Sequence, residues 1–161
     1  MFTPRKCCST SVKNMCLGEK GGPEITRYAA IVRNPYDRLV STWACRMDKT
    51  LKASHYGKKH KPCTFDVFLS RLPKFDLNTM PMCKWLPDEL GFLIKYENLE
   101  EDWKQFGKWV GRTLPPLILK NKSKRDFWQF YYSDDQLDTV YQIYEQDFIK
   151  YGYTSARRDK S

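Results

Sequence analysis

The apolar residues of this chain cluster at two spacings, and the two spacings separate strands from helices. Residues 28–32, Tyr-Ala-Ala-Ile-Val, form a continuous apolar run rich in strand formers, the pattern of a buried parallel strand. Residues 92–96, Phe-Leu-Ile-Lys-Tyr, predict a second strand. Elsewhere the spacing changes to three and four, in Leu39, Val40 and Trp43, in Leu99, Trp103, Phe106 and Val110, and in Leu137, Val140, Tyr141, Tyr144 and Phe148. Each set predicts a helix with one buried stripe. The helix boundaries carry their own signals. Asn34 suits an N-cap and Pro35 the first helical position, where its missing N–H costs nothing. Thr64 caps a short helix carrying Phe65, Phe68, Leu69 and Leu72, which Pro73 ends, and Ser133 with Gln136 forms a capping box for the last helix. Lys49 to Pro62, with five lysines, both histidines and Gly57, reads as an exposed loop, and Phe75 to Pro87 as irregular. There is no internal repeat and no low-complexity segment.

Composition adds a partner class without choosing within it. The 161 residues are 41% hydrophobic and 15% aromatic, enough to build one core, so a single domain is expected. Lys and Arg number 28 against 19 Asp and Glu, a formal charge of +9 that attracts anions: nucleotide phosphates, sulfated glycans, nucleic acid or anionic membranes. No run approaches the roughly 20 apolar residues of a membrane span, and the N-terminus has no signal-peptide core, so a soluble chain is expected. The six cysteines, at 7, 8, 16, 45, 63 and 83, lack paired metal-ligand spacing, and adjacent Cys7 and Cys8 suit no ordinary disulfide. Reduced thiols in a cytoplasm are expected. The alternative is a Golgi lumen, if an N-terminal anchor is missing, where some of the six would pair.

The candidate chemistry begins where the first strand meets its helix. Arg33 stands at the strand's carboxyl end, where open α/β sheets bind ligands, and Ser41 lies about 9 Å along the helix from Pro35 at ~1.5 Å per residue. An arginine and a hydroxyl so spaced can grip one phosphate. The competing reading is that Arg33 and Arg38 merely solvate a helix start. A second phosphate cradle opens the chain: Lys6-Cys7-Cys8-Ser9-Thr10-Ser11 joins a mobile cation to small residues and hydroxyls ahead of a helix-compatible segment. It is not a nucleotide-triphosphatase loop, because the flanking glycines are absent and no acidic metal-binding strand follows.

Together these two segments resemble the PAPS-dependent sulfotransferases, in the branch of the Golgi-type carbohydrate sulfotransferases. Lys6, Ser9, Thr10 and Ser11 match the family's Lys-x-x-Ser-Thr-Ser loop, and Arg33, Pro35, Arg38 and Ser41 match its Arg-x-Pro-x-x-Arg-x-x-Ser strand and helix. Downstream, Phe92 to Asp102 resembles its strand ending in Tyr/Phe-Glu-Asn-Leu, Asn121-Lys122-Ser123-Lys124-Arg125 its Asn-Lys-Ser loop, and Tyr131 to Tyr153 its closing helix with Tyr-x-x-Asp-Phe and Gly-Tyr. This would be an unusually short member.

The resemblance implies an α/β fold, a P-loop-like three-layer sandwich with a small parallel central sheet flanked by helices, spanning 1–161 as one domain. It implies a donor, PAPS, a product, adenosine 3′,5′-bisphosphate, and no metal. Lys6, Cys7, Cys8, Ser9, Thr10 and Ser11 would hold the 5′-phosphosulfate, Arg33 and Ser41 the 3′-phosphate, and Lys122, Ser123, Lys124 and Arg125 would close over that end. Lys6 would neutralise the bridging oxygen as the bond to sulfur breaks. In related enzymes a His or Glu between the two phosphate motifs takes the acceptor proton; that interval here holds Glu19 and Glu24 but no histidine, while His55 and His60 follow the second motif. Glu24 and His55 are the candidates. The implied partners are the nucleotide donor and a small-molecule or glycan acceptor. The rival reading is a noncatalytic basic protein that binds nucleic acid or sulfated glycans, against which the scattered basic residues and the lack of a nucleic-acid signature count.

Overall fold

The computed structural model describes residues 7, 28–47, 63–72, 76, 78–117 and 125–156. The chain packs as two compact units, Met1–Asn34 with Met82–Lys120, and Pro35–Pro81 with Asn121–Ser161.

In the first unit, strand β1 (Ala29–Val32) pairs in parallel with β2 (Phe92–Lys95), with Ala29 opposite Phe92 and Val32 opposite Lys95. All four β1 residues are buried, as the uninterrupted apolar run requires. Tyr28 lies just outside the strand, and its carbonyl accepts the N–H groups of Gly91 and Phe92. β2 ends one residue before the predicted limit because Tyr96 opens a 3₁₀ turn, Tyr96–Asn98, that feeds the long helix Leu99–Trp109. That helix lays Leu99, Trp103 and Phe106 inward, with Phe106 and Trp109 both against the Phe92 ring. Gly107 lets the chain pass closely here: a Cβ would stand 3.0 Å from the Arg112 carbonyl oxygen, where the chain turns back over the helix.

The second unit is helical. Numbered along the chain, α1 is Pro35–Met47, α2 is Phe65–Leu69, α3 is the Leu99–Trp109 helix of the first unit, and α4 is Asp134–Tyr151. α1 begins at Pro35 as its sequence predicts. Tyr36, Leu39 and Val40 of α1, Phe65 and Phe68 of α2, and Leu137, Val140, Tyr144 and Phe148 of α4 form one core. The Thr64 cap and the Ser133–Gln136 capping box are both present, and α4 ends at Gly152 in the left-handed conformation, with φ 62°. The expected class, α/β with a small parallel sheet and helices, is the one observed. Among the described residues no helix is long and apolar enough to cross a membrane.

Candidate functional site

In the first unit the two parallel strands end level with each other, so the next residues on each, Arg33 and Tyr96, are neighbours. The Arg33 guanidinium carbon lies 4.0 Å from the centroid of the Tyr96 ring, and the residue is only 6% exposed. A desolvated arginine over an aromatic face gains about 2 kcal/mol. The peptide that follows is also held: Glu97 Oε1 accepts the Asn34 N–H at 2.7 Å, and Asp102 Oδ2 accepts the Lys95 N–H at 2.7 Å. Two carboxylates from the stretch 96–102 thus satisfy backbone donors at the carboxyl ends of β1 and β2. A cation fixed there stands where α/β sheets take anionic ligands.

Cys7, the one residue of the Lys6 loop among the described residues, belongs to the same unit. It is fully buried, its thiol 3.8 Å from the Met82 sulfur.

In the second unit α1 carries Ser41, 8% exposed, on a helix clamped along its length. Arg38 is 1% exposed and donates through Nη2 to the Met80 carbonyl at 2.7 Å. Neither Arg33 nor Arg38 therefore solvates a helix start, which overturns the competing reading of these two arginines. Further along, Arg46 pairs with Asp76 and lies against the Phe68 ring. Burial alone would raise the Asp76 carboxyl pKa; hydrogen bonds from the Asn78 and Thr79 N–H groups and the charge of Arg46 outweigh it and hold the carboxyl below its ordinary value. Tyr144, whose hydroxyl donates to the Thr79 carbonyl, is pushed the other way, above its ordinary value, by burial. It stays a neutral donor.

The first turn of α1 receives the chain that follows the Asn-Lys-Ser segment. Arg125 pairs with Asp37, with side chains 12% and 14% exposed. Trp128 stacks on Tyr36 with ring centroids 5.0 Å apart, and the Tyr132 hydroxyl donates to the Tyr36 carbonyl at 2.9 Å.

Of the residues singled out in the sequence, Arg33 and Cys7 therefore lie in the first unit, and Ser41 and Arg125 in the second. Lys6, Cys8, Ser9, Thr10, Ser11, Glu19, Glu24, His55, His60, Lys122, Ser123 and Lys124, with the Lys49–Pro62 loop, lie outside the described residues. Tyr96, Glu97 and Asp37 were not anticipated as parts of a site. The Tyr-Glu-Asn-Leu match marked the first two, but their role depends on strand register, which no local pattern carries. A groove of about 900 Å³ runs along α3, lined by Leu99, Trp103, Lys104, Lys108, Leu114 and Leu117 among others, and none of the candidates among the described residues lines it.

No curated protein and no solved structure matches the chain. The family model described as "Sulfotransferase family" does match, over residues 23–154, a span that holds the Arg33 strand end, all of α1, the Tyr96–Asn98 turn and α4. An arginine buried at a parallel strand end, a serine-bearing helix after it and a sequence match across most of its length lead to one conclusion: this chain belongs to the sulfotransferase family.

Proposed function

We propose that this sulfotransferase uses PAPS as donor and passes its sulfuryl group to a hydroxyl or amine of an acceptor, a carbohydrate by the branch its motifs resemble. The single observation that carries the reading is Arg33, held at the carboxyl end of the sheet by the Tyr96 ring and by the Glu97 anchor on the next peptide. A guanidinium so fixed meets a phosphate with little ordering left to be done. Arg33 and Ser41 bind the 3′-phosphate that separates PAPS from ordinary adenylates. Lys6 and the N–H and hydroxyl groups of Cys7 to Ser11 bind the 5′-phosphosulfate, and Lys122, Ser123, Lys124 and Arg125 cover the 3′ end.

The acceptor oxygen or nitrogen attacks sulfur in line, the bond from sulfur to the bridging phosphate oxygen breaks, and the acceptor proton passes to a base, Glu24 or His55. Negative charge grows on the bridging oxygen, so a cation at Lys6 stabilises the transition state more than the ground state. No metal takes part in this scheme. Adenosine 3′,5′-bisphosphate leaves as product. The domain extends over 1–161, and the cytoplasm is its proposed location; none of the four described cysteines, Cys7, Cys45, Cys63 and Cys83, is in a disulfide.

Calorimetry with adenosine 3′,5′-bisphosphate, AMP and a short oligonucleotide tests the reading. The bisphosphate is expected to bind at least about tenfold more tightly than AMP, a difference of ~1.4 kcal/mol. Equal affinity for the two nucleotides would sink the proposal, and preference for the oligonucleotide would favour the noncatalytic binder. In the same assay Arg33→Ala is expected to weaken the bisphosphate and leave AMP nearly unchanged.

A further inference from the structure

The groove beside α3 has a wall on each side, and both walls belong to the first unit. One wall is the helix, which offers two rows at four-residue spacing: Leu99, Trp103 and Gly107, and beside them Glu100, Lys104 and Lys108. The other is the chain that returns past Gly111, where φ is 71°, and runs on to Leu114 and Leu117. Two hydrogen bonds tie the walls together. The Arg112 N–H donates to the Gly107 carbonyl at 3.0 Å, and the Trp103 Nε1–H donates to the Pro115 carbonyl at 2.9 Å. The groove is therefore shaped before anything enters it, and filling it has little chain left to order.

Its lining is of two kinds. Leu99, Trp103, Leu114, Pro116 and Leu117 are apolar, while the charged groups are Lys104, Lys108 and Arg112 against Glu100 alone. Lys104 reaches Glu100 at 3.2 Å, but those side chains are 61% and 89% exposed, so theirs is a weak surface pair that a better-placed anion can displace. Positive charge thus runs beside an apolar trough. A volume of about 900 Å³ is that of a small-molecule site. A ligand that satisfies both kinds of lining has an apolar body and an anionic head.

We propose that this groove binds a small anionic amphiphile, with its apolar chain against Trp103, Leu114 and Leu117 and its head at Lys104 and Lys108. The proposal does not rest on the donor reading, since none of the nucleotide-site candidates among the described residues lines the groove.

The test is calorimetry and backbone NMR of the full chain with octanoate and decanoate below their micelle ranges, and with decyltrimethylammonium as the cationic match. Decanoate is expected to bind saturably, one per chain, at least about tenfold more tightly than the ammonium probe. Its two extra methylenes are expected to make it roughly tenfold tighter than octanoate. Resonance shifts are expected along residues 99–117, with those of α4 unmoved. Lys108→Gln, at an exposed position, is expected to weaken decanoate about fivefold, and Leu117→Asp about tenfold. Lys84→Gln removes an exposed lysine of the same unit outside the groove and is expected to change affinity less than about twofold. Equal losses at Lys84 and Lys108 would show attraction to the overall charge alone and overturn the site. Failure of decanoate to saturate, equal affinity for the two decyl probes, or shifts centred outside 99–117 would overturn it as well. If Leu117→Asp does not fold, Lys108→Gln and the chain-length ratio decide. A dimer in sedimentation that Leu117→Asp dissolves would give the groove to a second copy of the chain, and overturn the amphiphile.

Discussion

At the smallest scale the arginines differ most from one another, because four of them sit in three kinds of environment. Arg33 is stacked on an aromatic ring, Arg38 spends a donor on a backbone carbonyl, and Arg46 and Arg125 are each paired with an aspartate. A net charge of +9 says nothing of this division. The Arg46–Asp76 pair has a pH signature. Asp76 has a folded pKa below its unfolded value, so it contributes stability that is fully present above the unfolded value of 3.8 and is lost as pH falls through the folded one. Asp76→Asn is expected to lower stability near neutrality and flatten the acid limb, as read from urea unfolding midpoints between about pH 6 and pH 3. A parallel curve for the variant would show that the carboxylate charge is not what matters. At Lys6 the signature expected from the proposed scheme is kinetic: Lys6→Ala is expected to reduce turnover more than it weakens binding of the bisphosphate, since that scheme calls on its charge chiefly when the bond to sulfur breaks.

Elements form where local signals agree. α4 has a capping box at Ser133 and Gln136, acidic residues in its first turn, Lys150 in its last, and a left-handed glycine after it. Tyr153 N–H reaches the Phe148 carbonyl at 2.9 Å across that glycine, the closure expected of a Schellman end. Ser133→Ala is expected to cost about 1 kcal/mol by leaving helix N–H groups uncapped. Gly152→Ala is expected to cost a similar amount, ~1–2 kcal/mol, by forcing a Cβ into the left-handed region. Thermal melting would show each as a drop of roughly 2–4 °C, and an unchanged midpoint would remove that residue from the account of α4. These signals were all legible because each involves residues within one or two turns. The 3₁₀ turn at Tyr96 was not, because ending β2 at Lys95 is decided by Asp102, seven residues on, taking the Lys95 N–H.

For the whole molecule, the relevant quantity is the balance of 28 basic against 19 acidic residues and the sequence pI of about 9.2. Such a field favours polyanionic nucleotides by long-range attraction, which salt screens; the Debye length falls to ~8 Å at about 0.15 M. Bisphosphate affinity is therefore expected to fall with added salt, and more steeply than AMP affinity, because the bisphosphate carries the extra 3′-phosphate charge. Equal salt slopes in titrations would mean that the 3′-phosphate is not being read by cations. The family match across residues 23–154 agrees with the ordered motifs from Arg33 to Tyr153, which were visible because spacing along a strand and its following helix is itself sequence information.

The sequence by itself determined the strands, the helix starts and ends, the family, and the two cation-and-hydroxyl segments suited to phosphate, because propensity, capping and motif spacing act over a few residues. Only the tertiary structure decided what each cation faces. The parallel register of β1 and β2 sets Arg33 on Tyr96, and the return of the chain at Arg125 closes on Asp37, 88 residues away. Those partners are distant in sequence, and the energy that selects them comes from burying charge beside the right ring, carbonyl or carboxylate, which no local pattern encodes.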